Sequence, residues 1–246
     1  MKGKVVSMNR VILVASGKGG TGKTVFTANI GAALALRGYK VALIDMDMGL
    51  RNLDLCLGLE DKVVYDVIDV LTGLCRIKQA LIKDKRFQCL YYMAAAPSGK
   101  NADITPVHMK VLYKKLKKNF DFILVDAPAG LSEYVFMAIE GADTAVIITA
   151  AEYSAIRNAD ILYSALKEKG MADIRYVLNK VNMDLINTGL VPGVNEIAKK
   201  LRPEIAGIIH YDENIHLAAN SGLPVVLKKG TYIEENFNKI AERIIE

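Results

Sequence analysis

Seven short runs of β-branched and apolar residues punctuate the chain, at 10–16, 40–45, 90–94, 122–126, 145–149, 174–179 and 205–209. Their length and lack of polar alternation predict strands buried on both faces. Between them, apolar positions recur at helical spacing. Phe26, Ile30, Ala33 and Leu34 share a face of one predicted helix, which Gly38 stops. Val107, Val111, Leu112 and Leu116 share a face of another across 105–118. In the last segment, 232–246, Ile233, Phe237, Ile240, Ala241, Ile244 and Ile245 fall on one side. Glu234, Glu235, Lys239, Glu242 and Arg243 fall on the other.

Strand alternating with helix is the pattern of βαβ units with right-handed crossovers. The expected fold is therefore α/β, a doubly wound and mostly parallel sheet flanked by helices. No repeat, low-complexity tract or Pro/Gly-rich linker divides the 246 residues, so one domain is expected, with 1–9 as a loose leader.

Composition adds few constraints. Apolar residues make up 52% of the chain, as a sheet covered on both faces demands. A net charge of +5 is too mild to single out nucleic acid or membrane as a partner. Cys56, Cys75 and Cys89 are odd in number and include no C-x-x-C pair, which points to a reducing cytoplasm rather than a disulfide framework or zinc site. No apolar stretch nears the roughly 20 residues of a membrane span. The run after the basic N-terminal residues is too short for a signal peptide.

The chemistry concentrates in one loop. Gly17-Lys18-Gly19-Gly20-Thr21-Gly22-Lys23-Thr24 fits G-x-x-x-x-G-K-[ST] between a predicted strand and a predicted helix. Its glycines let backbone N–H groups converge on phosphate oxygens, and the helix N-terminus adds partial positive charge. Lys23 would reach the outer phosphates and Thr24 would hold Mg²⁺, so ATP or ADP with Mg²⁺ is the expected cofactor. Asp45 and Asp47 follow the second strand and Asp126 ends the fourth, at the carboxyl edge where loops meet a ligand. Among such carboxylates, one can hold the metal or its waters while another orients the attacking water.

Lys18 is superfluous to that motif. With its neighbours it makes K-G-G-x-G-K-[ST], which resembles the deviant Walker A motif of the MinD/ParA family of ATPases. The likeness spans nearly the whole chain. At 49–55, 58–60, 63–66, 79–87 and 126–130 it favours the septum-positioning branch of the family. The resemblance implies an ATP-dependent homodimer in which Lys18 reaches the partner's phosphates. It implies that Asp47 orients water, Asp126 is the Walker B acid, Asp45 supports the metal and Gly130 senses the γ-phosphate. Asn179 would read the adenine edge, with Asp212 in the loop after the next strand. No arginine is placed to reach the transition state in cis, so slow, partner-stimulated hydrolysis is expected.

The resemblance also implies a MinC-like effector and an activator protein, the latter on the helix opening at Glu152. Ser154 and Asp160 fit that surface, whereas Asn158 stands for an acidic residue and Ala151 for a proline. The final helix is expected to serve the core rather than a membrane, because three glutamates oppose anionic lipid. Peripheral attachment to the inner face of the membrane would then need another surface. The alternative within the family is ParA-like chromosome or plasmid segregation, with Lys114, Lys115, Lys117 and Lys118 on DNA. An iron–sulfur carrier would need a C-x-x-C pair, and a small-molecule kinase a substrate pocket beside the γ-phosphate; Lys18 ranks both below a dimerising switch.

Overall fold

The computed structural model describes residues 8–100, 103–202 and 204–246. Eight strands form one sheet: β1 (Arg10–Ser16), β2 (Val41–Asp45), β3 (Ile82–Lys83), β4 (Leu90–Met93), β5 (Phe122–Ala129), β6 (Thr144–Ala150), β7 (Asp173–Val181) and β8 (Ile205–His210). Their spatial order is β3-β4-β2-β5-β1-β6-β7-β8. Every pairing is parallel except β3 with β4. β1 lies between β5 and β6, so the chain leaves the centre first in one direction and then in the other. That reversal opens a crevice at the carboxyl end of β1.

The inner strands are buried along their length, as the unbroken apolar runs require. Successive β1 residues point to opposite layers: Ile12 and Val14 pack with Phe26, Ile30, Leu34 and Phe237, while Val11 and Leu13 pack with Leu112, Leu116 and Leu162. The helix Lys23–Leu36 is buried around nearly its whole circumference rather than on one face. The sheet covers one side and the final helix, Tyr232–Ile245, covers the other, with Phe237 and Phe26 ring centroids 6.4 Å apart. Gly38 ends this helix as expected. At φ 90° it lets the Tyr39 N–H reach the Leu34 carbonyl and its own N–H the Ala35 carbonyl.

Three sequence expectations change. In the helix Pro106–Leu116 the buried residues are Met109, Leu112, Tyr113 and Leu116, whereas Val107 and Val111 are exposed. Tyr113 displaces the expected valines because its ring is buried and its hydroxyl donates to the Ala138 carbonyl at 2.9 Å. β3 is an extra edge strand, with only two residues and no apolar run to announce it. β5 continues three residues beyond Asp126, and the pairing with β1 shifts between Val14 and Ser16. Of the expected leader, 1–7 lies outside the described residues. Asn9 is fixed, its amide donating to the carbonyls of Lys117 at 2.7 Å and Phe120 at 3.0 Å.

Candidate functional site: a phosphate loop with two lysines

The loop from Gly17 to Gly22 joins β1 to the helix Lys23–Leu36 at the crevice. Two glycines are obligatory for different reasons. A Cβ on Gly17 would sit 2.3 Å from the Asn158 carbonyl oxygen, because the loop packs on the backbone of the helix Tyr153–Glu168. Gly22 has φ 86° and would meet the Asn179 amide at 2.4 Å. Gly20, at φ 79°, also turns the loop, while Gly19 faces open space. The loop thus hugs its neighbours where it must and leaves its crest clear.

Lys23 points inward. Its Nζ lies 2.9 Å from Asp126 Oδ1, and both side chains are almost wholly buried. Thr27, one turn along the helix, places its hydroxyl 2.9 Å from the same oxygen. Asp126 Oδ2 and Thr21 Oγ1 are buried without a hydrogen-bond partner among the described residues. Such atoms are costly unless a ligand or water completes them. Thr24 is half-buried in the first turn of the helix.

Asp45 pairs with Asp126 across β2 and β5. Burial and the neighbouring Asp126 charge push its carboxyl up to about 8, against backbone N–H groups and Lys23, which pull it down. Its oxygens accept the N–H of Asp47 at 2.9 Å and of Leu53 at 3.2 Å. Asp45 therefore shapes the loop that carries Asp47. Asp47 is half-buried, and burial raises its carboxyl above the ordinary value despite the Lys23 charge. The Gly130 N–H donates to the Ser16 carbonyl at 2.8 Å, so it is engaged beside the loop in this state.

Lys18 points the other way. Its ammonium lies 3.0 Å from Glu152 Oε2 and 3.3 Å from Ser154 Oγ, with the lysine side chain 44% exposed. On the far side of the loop, Asn179 donates to the Thr21 carbonyl at 2.8 Å and Lys180 to the Gly20 carbonyl at 2.8 Å. Both line a cavity of about 290 Å³ with Gly22, His210, Tyr211 and His216. Asp212 borders this cavity, yet its carboxylate is occupied in capping the helix Glu213–Asn220 through the Asn214 N–H at 2.8 Å.

The structure thus gathers Lys23, Asp126, Asp45 and Asp47 on one side of the loop, Asn179 and Asp212 on the other, and sends Lys18 outward. Sequence reasoning overlooked Thr27, Glu152 as a partner of Lys18, and Lys180. Thr27 was recoverable, because it stands four residues after Lys23 on the same helical face. Lys180 was not, because its position depends on a left-handed backbone, φ 55°, at a residue that gives no local sign of one.

A glycine loop at the topological switch point, opening a helix and backed by a buried lysine and strand-end carboxylates, defines a P-loop nucleotide-binding protein. Residues 12–225 match the model of the CobQ/CobB/MinD/ParA nucleotide binding domain, and the chain belongs to that family. It is 38% identical to the septum site-determining protein MinD of Bacillus subtilis over 97% of this chain and 90% of that one. Its fold matches MinD in the MinC:MinD cell division protein complex of Aquifex aeolicus with TM-score 0.89 and 37% identity, covering 96% of both chains. MinD from Pyrococcus horikoshii, complexed with Mg-ADP, matches with TM-score 0.86 and 30% identity over 96% of this chain and 95% of that one. Among the described residues, no helix is long and apolar enough to cross a membrane.

Proposed function

We propose that this chain is a Mg-ATP-dependent, dimerising ATPase switch of the MinD type, acting in septum placement. The observation that carries the reading is the division of labour between its two loop lysines. Lys23 is buried on Asp126, while Lys18 is held outward at the surface. Lys18 is therefore not engaged at its own loop's phosphate site in this state. The exposed pair with Glu152 contributes only about 0–1 kcal/mol. Lys18 can therefore exchange it for the concentrated charge of a triphosphate presented by a second copy. Pairing then follows nucleotide state.

The residues present suit magnesium. Asp126 Oδ2 and Thr21 Oγ1 are buried hard-oxygen atoms without partners among the described residues. Thr24 and Asp126 would hold the ion, with Asp45 beside them. When bound, it neutralises charge between the outer phosphates. Lys23 moves from Asp126 to those phosphates as nucleotide binds. Asp47, on the loop that Asp45 fixes, orients the attacking water. Gly130 exchanges the Ser16 carbonyl for the γ-phosphate, which makes 126–130 responsive to hydrolysis. Arg51 follows Asp47 closely, but its guanidinium is held by Asp54 at 2.6 Å. Turnover by one chain alone is therefore slow, and a partner accelerates it.

A MinC-like effector fits this reading, since the Aquifex aeolicus relative was solved with MinC. The DNA-binding alternative loses support at its lysines. Lys117 is engaged by Asp143 at 2.7 Å, and Lys115 and Lys118 line a concave cavity rather than a flat basic face. The test is the light-scattering mass of Asp47→Ala protein, a hydrolysis-deficient form, with ATP and with ADP. A doubled mass with ATP alone, and ATP-dependent capture of MinC from a MinD-bearing relative, is expected. A single-chain mass with both nucleotides overturns the reading, and ATP-dependent retention on duplex DNA without MinC capture replaces it with segregation.

A further inference from the structure

One cavity among the described residues lies at the opposite edge of the sheet from the phosphate loop. It measures about 820 Å³, within the range of small-molecule sites. It opens at the amino ends of β2 and β5, where Lys40 and Phe120 enter the strands, whereas the phosphate loop lies at the carboxyl end of β1. Its apolar wall comes from Val70, Ile77, Leu81, Tyr91, Leu116 and Phe120. Tyr91 and Phe120 meet edge to face at 5.3 Å, and Lys40 Nζ stands over both rings, 5.8 Å and 5.2 Å from their centroids.

The rest of the lining is cationic. Lys40, Arg76, Lys78, Lys115 and Lys118 all contribute, and no carboxylate does. Among the described residues none of these five side chains forms an ion pair. The acidic groups closest in sequence are otherwise engaged: Asp121 accepts the Lys40 backbone N–H at 2.7 Å, Asp84 is held by Arg86 at 2.6 Å, and Asp69 is held by Lys100 at 2.5 Å. Five cations lining one cavity with no carboxylate in that lining make its potential positive, and an anion is drawn to it. An apolar wall with cations in the same lining is complementary to a molecule with both characters.

We propose that this cavity binds a small anionic amphiphile, a molecule with an acyl or aryl body and a phosphate or carboxylate head. The body lies against Leu81, Tyr91, Leu116 and Phe120. The head is received by Arg76, Lys115 and Lys118, with Arg76 offering a planar fork suited to such groups. The proposal is independent of the nucleotide reading, since it uses none of the same residues.

The test is calorimetric titration of the full chain with dodecyl phosphate, kept below its micelle concentration, and with uncharged dodecyl maltoside. Binding of the phosphate, at least about tenfold tighter than the maltoside, is expected. Arg76→Gln with Lys118→Gln should weaken it by about tenfold while leaving ADP affinity unchanged, which separates loss of the site from loss of the fold. A second arm uses phosphatidylglycerol vesicles. Retention on vesicles that those substitutions abolish identifies the source of the head group as membrane lipid, and binding of the monomeric amphiphile alone identifies a free metabolite. Equal binding of charged and uncharged chains, or undiminished binding by the double variant, overturns the proposal. So does binding of duplex DNA at these residues with no binding of the amphiphile.

Discussion

Lys18 and Lys23 stand five positions apart on one loop and meet opposite fates, and burial decides which. Lys23 gives up hydration and needs Asp126; removing either partner strands a buried charge, at a cost of about 3–5 kcal/mol. Lys23→Ala should therefore lower unfolding free energy in urea by about that much, and Lys23→Ala with Asp126→Ala should lose less than Lys23→Ala alone. The same negative cluster reaches Cys56. Burial first, then the charges of Asp126, Asp45 and Asp54, push its thiol up to about 12. Iodoacetamide at pH 8.5 should alkylate Cys56 at least about tenfold more slowly than glutathione, read by mass spectrometry of the Cys56 peptide. The candidate site residues, Lys18 and Lys23 among them, were legible in the sequence by type and spacing. The pairing of Lys18 with Glu152 was not, because the two meet only once β1 and β6 lie side by side.

At the scale of elements, the helix Pro106–Leu116 shows what periodicity can and cannot say. Its existence follows from spacing, but Val107, Val111 and Tyr113 compete for places beside Leu112 and Leu116, and the large aromatic ring with a carbonyl to bond wins. Leu112→Ala should cost about 2–5 kcal/mol in thermal or urea unfolding, while Val111→Lys should stay within about 0.5 kcal/mol. The short helix Val67–Leu71 is an electrostatic element. Asp66 and Asp69 form a reciprocal cap, and Lys100 lies 2.6 Å and 2.5 Å from them. Burial pushes Asp69 up, but the hydrogen bonds and charge of Lys100 and the Asp66 N–H more than offset it, leaving its carboxyl below the ordinary 3.8. Its contribution is therefore present above pH 3.8 and lost as pH falls through the lower folded value. Lys100→Ala should accordingly destabilise more at pH 7 than at pH 2.5. The difference should be about 1 kcal/mol at most, because the lysine is partly exposed. Calorimetric melting of both proteins at the two pH values checks this.

The whole molecule is organised by the sheet order, and that order explains why so much was legible. Parallel strands buried on both faces must be apolar throughout, so seven of the eight announce themselves. The eighth, Ile82–Lys83, is a two-residue edge and has no need to. The final helix lies against Lys23–Leu36, the helix that begins in the phosphate loop, so the end of the chain braces the site, as its apolar face suggested. The cavity at the amino edge was invisible in the sequence, because Lys40, Arg76 and Lys118 come from three separate segments that only the fold brings together. The central claim concerns a relation between two such molecules: an outward lysine completes its partner's nucleotide site. Sedimentation velocity of Asp47→Ala protein with ATP, with and without the further change Lys18→Ala, tests it most directly. The account predicts a dimer with Lys18 present, and a monomer that still binds ATP with Lys18→Ala. A dimer of undiminished stability in the Lys18→Ala protein would contradict it.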